Sequence, residues 1–250
     1  MSTALSQVVF QPKQIETNNK GVLYDFERSF DFKIYTNGFS IGMSFGEIES
    51  YYKTSYFSIE FGTLKDFRER RQNRNVTFRS NGLSSSFIYG KQNSIYLLKF
   101  GKGKKVYLTE KAKRKGLAVG FNYNYGLTVA LKKPYYLEIV NRNASDSDDE
   151  LFTVRATDET MEDFLNFNII FGGSSYFQGF WNIRPTVGAH AKIGAHFAFG
   201  AYDQSIKSVE VGLQAEAFPR RLPILVEREN IRNRHVYVNM YVLAQFGKRK

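Results

Sequence analysis

The chain has 250 residues, no cysteine, and 35 Lys and Arg against 24 Asp and Glu, for a formal net charge of +11. A chain without thiols has no disulfide, thiolate metal site or cysteine nucleophile, and no stretch approaches the ~18 apolar residues of a membrane helix. Its 23 Phe, 16 Tyr and 20 Gly with only 5 Pro favour long strands joined by turns, and a mean hydropathy of −0.38 is no obstacle to a membrane barrel, whose strands are half polar.

Residues 1–20 form a polar tail ahead of one domain over residues 21–247. The opening MSTALSQ has neither a basic nor an apolar signal region, but residues 1–6 look like the end of an export signal, so one is expected upstream. Alternation then begins. Phe30, Phe32 and Ile34 oppose Ser29, Asp31, Lys33 and Tyr35, and Thr36-Asn37-Gly38 marks a tight turn. In the second strand Phe39, Ile41, Met43 and Phe45 oppose only Gly and Ser. After a polar connection, Glu47 to Lys53, the third strand sets Phe57, Ile59 and Phe61 against Ser58, Glu60 and Gly62. An arginine-rich loop from about Lys65 to Gln92 leads to a weaker fourth strand, Asn93 to Phe100, and then to a lysine-rich connection, Lys102 to Lys115. The fifth strand, Leu117 to Leu131, is clean. The longest connection, Lys132 to Arg184, holds an acidic run and a short helix over Thr160 to Phe167. Strands over Val187 to Phe199 and Ser208 to Ala217, a basic loop to Arg234, and a closing strand over His235 to Gly247 complete the pattern.

The count is eight and even, and the three longest connections fall on one side. The apolar face carries almost no polar atom, whereas the other carries Gly, Ser, Asn and charge. Glycines suit the narrow interior of an eight-stranded barrel, so the apolar face points outward, and backbone satisfaction in lipid requires the first and last strands to pair. The fold expected is all-β: an eight-stranded antiparallel transmembrane barrel with a filled polar lumen and long extracellular loops.

The segments YTNGFSIGMSFG, SYFSIEFGTLKDFRER, NSIYLLKFGKGKKVYL, RPTVGAHAKIGAHFAFG and YVLAQFGKRK resemble a family of small outer-membrane β-barrels of Bacteroidota. The resemblance implies a bacterial outer-membrane location and a non-enzymatic role, as some similar barrels are accessory parts of secretion or barrel-assembly machines. It supplies no catalytic residue. The closing strand likewise resembles that of other outer-membrane proteins. This points to Tyr241 and Phe246 as the signal that a barrel-assembly machine reads.

The inward charges Asp31, Lys33, Glu60, Lys99, His190, Lys192, His196, Glu210 and Glu216 mix both signs and are expected to form a salt-bridged plug, with Glu210 neutralising Lys192 or Lys99. His190 and His196 stand about 20 Å apart at ~3.3 Å per residue, too far to share a metal. A lipid A-modifying enzyme is the alternative function, but no nucleophile, base and orienting acid can be picked out. A second alternative is a soluble basic β protein that binds nucleic acid, although no nucleic-acid-binding signature accompanies the charge. Arginines 68, 70, 71, 74 and 79, and 220, 221, 228, 232 and 234, cluster in two outside loops. Their planar forks suit lipopolysaccharide phosphates, with Arg68, Arg70, Arg71, Arg220 and Arg221 the expected contacts. Asp146 to Glu150 lacks the spacing of a calcium loop and reads as a solvated tip. No cofactor or metal is expected. The partners expected are outer-membrane lipid, lipopolysaccharide and other outer-membrane proteins, not nucleic acid.

Overall fold

A computed structural model describes residues 24–73, 77–78, 82–109, 116–141, 150–199, 204–228 and 231–250. The tail with its signal-like opening, Arg74, Arg79 and Asp146 to Asp149 lie outside the described residues. Eight strands form the barrel: β1 (Phe26–Tyr35), β2 (Gly38–Ser50), β3 (Lys53–Leu64), β4 (Asn93–Tyr107), β5 (Ala118–Pro134), β6 (Arg184–Phe199), β7 (Ser205–Ala217) and β8 (Val236–Arg249). Each pairs antiparallel with its sequence neighbours, and β8 returns to β1, closing the sheet.

The alternation that defines the strands also sorts the two faces. On the outside, cross-strand neighbours make a continuous apolar wall. Phe30 lies between Met43 and Phe246, Ile34 between Phe39 and Val242, and Ile59 between Met43 and Phe100. Tyr123 meets Ile193, which meets Leu213, which meets Met240. These side chains are exposed; Val242 is 52% and Met240 66% accessible. Water does not tolerate such a wall, and strands of this length reach or exceed the ~9–11 residues that cross a bilayer. The chain is therefore a closed eight-stranded transmembrane barrel.

Several boundaries differ from the sequence expectation, for one physical reason. Outward Lys102 and Lys104 interrupt the apolar face, so the pattern reads as a connection. The backbone nevertheless continues as β4 to Tyr107, because inward Gly101, Gly103 and Lys105 keep the period of two. Likewise β1 begins at Phe26, and the polar stretch Glu47 to Lys53 is almost all strand, with only Tyr51-Tyr52 turning between β2 and β3.

The three long connections, 65–92, 135–183 and 218–235, share one end of the barrel with the Thr36-Asn37 turn. The first expected loop folds into short paired strands. The longest contains a three-stranded sheet, with Tyr136–Asn141 between Glu150–Arg155 and Ile170–Gly173, and a helix over Met161–Leu165 within the expected span. Phe87, Leu137, Ile139, Phe164, Ile170 and Val226 from all three connections pack into a second apolar core above the barrel.

A lysine at Val242, midway along the outer wall of β8, should cost about 2–4 kcal/mol of folding stability in a bilayer. Denaturant titration of wild type and Val242→Lys folded into lipid vesicles measures this directly. A cost near zero would mean that the wall does not meet hydrocarbon.

Candidate functional site

The barrel interior is the most highly built part of the molecule. All the charges expected to face inward, from Asp31 to Glu216, are buried there. At mid-depth Lys33 Nζ donates to Glu60 Oε2 at 2.5 Å, and Lys192 Nζ reaches the other oxygen of the same carboxylate at 3.4 Å. Higher up, Lys99 donates to Glu216 at 2.5 Å, and the Asn239 amide also donates to Glu216. Asp31 accepts from the Ser44 hydroxyl at 2.5 Å and the Gln245 amide at 2.7 Å. Tyrosine rings fill the gaps between cations. Lys33 and Lys192 both lie over Tyr241, Lys99 over Tyr35, and Lys105 over Tyr56, all at centroid distances of 5.3–5.9 Å.

Glu210 corrects the expected pairing. It contacts neither Lys192 nor Lys99 directly. Instead it accepts from Tyr241 OH at 2.5 Å and from the Asn122 amide at 2.7 Å, with His196 Nδ1 at 3.4 Å. Tyr241 can reach it only because β6 has Gly194 there: a Cβ at that position would lie 2.6 Å from the Tyr241 oxygen. His190 is held elsewhere, its Nε2 donating to Asn124 Oδ1 at 3.1 Å and its Nδ1 2.9 Å from the Thr128 hydroxyl. The two histidines thus belong to separate hydrogen-bond groups. Among the described residues no group of three or more His, Asp or Glu could hold a metal ion.

The sequence reading missed the lower layer and the upper seal. Below Asp31, Lys105 donates to Glu27 at 2.7 Å and to Gln245 at 2.8 Å, while Arg249 approaches Glu27 at 3.4 Å. The inward parity of Gly101, Gly103 and Lys105 was the available signal. At the opposite end the interior is not polar. Phe218, Leu222, Ile224 and Leu225 of the last long connection fold into the mouth against Leu64, Ile95, Leu97, Ala130 and Tyr237. Gly188 makes room for the Phe218 ring, which would lie 2.4 Å from a Cβ there. The signal in Phe218 to Val226, apolar residues among arginines and prolines, was masked by the basic composition of the loop.

The expected phosphate contacts separate. Arg68 spends its fork within the molecule, donating twice to Asp66 at 2.8 and 2.9 Å and once to the Arg232 carbonyl at 3.1 Å. Burial alone would raise the Asp66 carboxyl, but the Arg68 hydrogen bonds outweigh it and hold the group below its ordinary value of 3.8. Arg68 and Arg234 lie over the Phe67 ring, and Arg228 over Tyr89. Arg70, Arg71, Arg220 and Arg221 are exposed, with Arg221 4.0 Å from Glu227. The closing-strand pair faces opposite ways. Phe246 points outward beside Phe30 and Lys207, whereas Tyr241 is buried in the lumen.

No family model matches the chain, and no curated protein matches it. Among solved structures it is similar to the N-terminal β-barrel domain of Pseudomonas aeruginosa OprF, at 10% identity over 90% of this chain and 96% of that one, with a TM-score of 0.35. Neisserial surface protein A is similar at 8% identity, 90% and 96% coverage and a TM-score of 0.39. Ail, the attachment invasion locus protein of Yersinia pestis, is similar at 8% identity, 90% and 95% coverage and a TM-score of 0.34. The closed sheet and its apolar wall define the fold without them.

Removing one partner of a buried pair should cost far more than removing both. Lys99→Met is expected to destabilise the barrel by about 3–5 kcal/mol, and Lys99→Met/Glu216→Leu to recover most of that; unfolding in detergent reads both. For Asp66 the folded pKa is depressed, so its contribution is complete above 3.8 and is lost as pH falls through the lower folded value. Hydrogen exchange around Arg68, corrected for intrinsic rates, should accelerate in that acid window, and Asp66→Asn should be fast at every pH.

Proposed function

We propose that this protein is a non-enzymatic barrel of a bacterial outer membrane and an accessory subunit of a larger outer-membrane assembly, of the secretion or protein-assembly kind. The observation that carries the reading is the contrast between its two ends and its interior. The lumen is filled by paired charge and sealed by an apolar plug. Beyond the plug, the long connections form a folded cap with a core of its own. What such a molecule offers is a shaped surface, not a path or a reaction centre.

Short turns at one end and long connections at the other match the asymmetry of outer-membrane barrels, and this supports a cap on the outside of the cell. The cap presents Tyr176, Phe177, Phe180 and Trp181, all exposed, with Trp181 95% accessible. Exposed aromatics of this density support a protein or lipid partner. Arg70, Arg71, Arg220 and Arg221, free of the internal clamp that holds Arg68, are the arginines best placed for lipopolysaccharide phosphates.

Purification from native outer membranes under mild detergent should recover stoichiometric outer-membrane partners, lost when Phe177 and Trp181 are replaced by Ser. Recovery of the barrel alone would overturn the accessory role. A large stable current in planar bilayers would overturn the sealed lumen, and turnover of lipopolysaccharide would favour a lipid-modifying enzyme. Phe246→Lys is expected to lower insertion in cells much more than refolding yield in detergent. Equal losses in the two assays would reduce Phe246 to a packing residue.

A further inference from the structure

A second basic site, built on Lys132, Arg155 and Arg184, lies at the rim of the cap. Antiparallel register places Arg184, the first residue of β6, directly opposite Lys132 near the end of β5. Like charges in that relation repel. Arg155 joins them from the end of the strand Glu150–Arg155, and Arg220 is within electrostatic reach of Lys132. Lys132, Arg155 and Arg184 line one cleft of about 470 Å³, together with Trp181, Asn182 and Gln92.

Among the described residues no acidic side chain lines this cleft. Asp158 and Glu159 line an adjoining depression that Arg155 shares, yet among the described residues none of the three cleft cations is ion-paired. The lumen cations Lys33, Lys99, Lys105 and Lys192, by contrast, each have a carboxylate partner. Gathering cations without compensation costs free energy that an anion would return. Two guanidinium forks and an ammonium suit the oxygens of a phosphate dianion. The indole of Trp181 on the same cleft, edge-on to Phe180 at 6.1 Å, offers a flat apolar face beside it. Such a face suits the ring of a sugar.

We propose that the cleft binds a phosphomonoester carried on a sugar, the chemistry shared by a phosphorylated glycolipid headgroup and a soluble sugar phosphate. The outer-membrane reading bears on this only through the lipid source of the ligand. Trp181 is the only tryptophan of the chain, so its fluorescence reports on the cleft without labelling. The full-length barrel in zwitterionic detergent is titrated with glucosamine 6-phosphate, glucosamine and inorganic phosphate. In lipid nanodiscs it is compared with bisphosphorylated lipid A and the same lipid after phosphatase treatment.

The expected result is a saturable change in Trp181 emission with at least one phosphorylated sugar, absent with its dephosphorylated form and weak with inorganic phosphate. A response only to lipid A identifies the headgroup as the source, and a response to both forms identifies the shared group. Arg155→Gln/Arg184→Gln should weaken binding at least tenfold while the heat-modifiable gel mobility of the folded barrel is kept. Lys104→Gln, at the opposite end, should bind as wild type. Equal responses to phosphorylated and dephosphorylated sugars, equal affinity for inorganic phosphate, or a double variant that is folded and binds normally would each overturn the site. Failure to enter nanodiscs would count against the membrane reading, while the detergent titration would still decide the cleft.

Discussion

The register between β1 and β8, from Glu27 opposite Arg249 to Tyr35 opposite Tyr241, is the contact that permits every other part of this structure to exist. An open sheet would leave two rows of backbone donors and acceptors facing hydrocarbon, each unsatisfied group costing several kcal/mol. Closure removes both rows together and fixes an inside and an outside. Only then does an alternation of large apolar side chains with Gly, Ser and charge acquire meaning, as a wall and a filling.

The filling has its own logic. Buried ion pairs contribute little net stability against apolar replacements, because desolvation offsets much of the attraction. Their geometry is nonetheless exacting. The pairs run across the interior, joining β1 to β3 through Lys33 and Glu60, β4 to β7 through Lys99 and Glu216, β4 to β1 through Lys105 and Glu27, and β6 to β3 through Lys192 and Glu60. A one-residue slip of any strand would turn its lumen charges into lipid and its phenylalanines into the lumen. The charges therefore discriminate against wrong registers more than they add to the stability of the right one.

The eight strands, their closure and the sorting of faces were legible in the sequence because a period of two, repeated around a ring, is a redundant signal. Boundaries failed where the outer face meets the membrane surface and tolerates charge, as at Lys102 and Lys104. Partners failed where they depend on shear between strands: Glu210 and Lys192 are correctly inward, yet sequence spacing alone gives no way to see that Glu210 meets Tyr241 and Asn122 while Lys192 turns to Glu60. The cap was least legible. Its core draws single residues such as Phe87, Phe164 and Val226 from three distant connections, so no local window contains its pattern.

The plug belongs to the connection between β7 and β8, and its Phe218 seats beneath the rim of β6 at Gly188. One of its contacts, Tyr237, lies on β8, the strand that closes the seam last in chain order, and another, Leu64, on β3. The stopper is therefore threaded into the same event as the seam. With β8 undocked, Glu210, Glu216 and Lys105 would lose Tyr241, Asn239 and Gln245 as hydrogen-bond partners, and the plug would lose Tyr237. Sealing of the mouth and completion of the wall therefore both draw on the docking of β8.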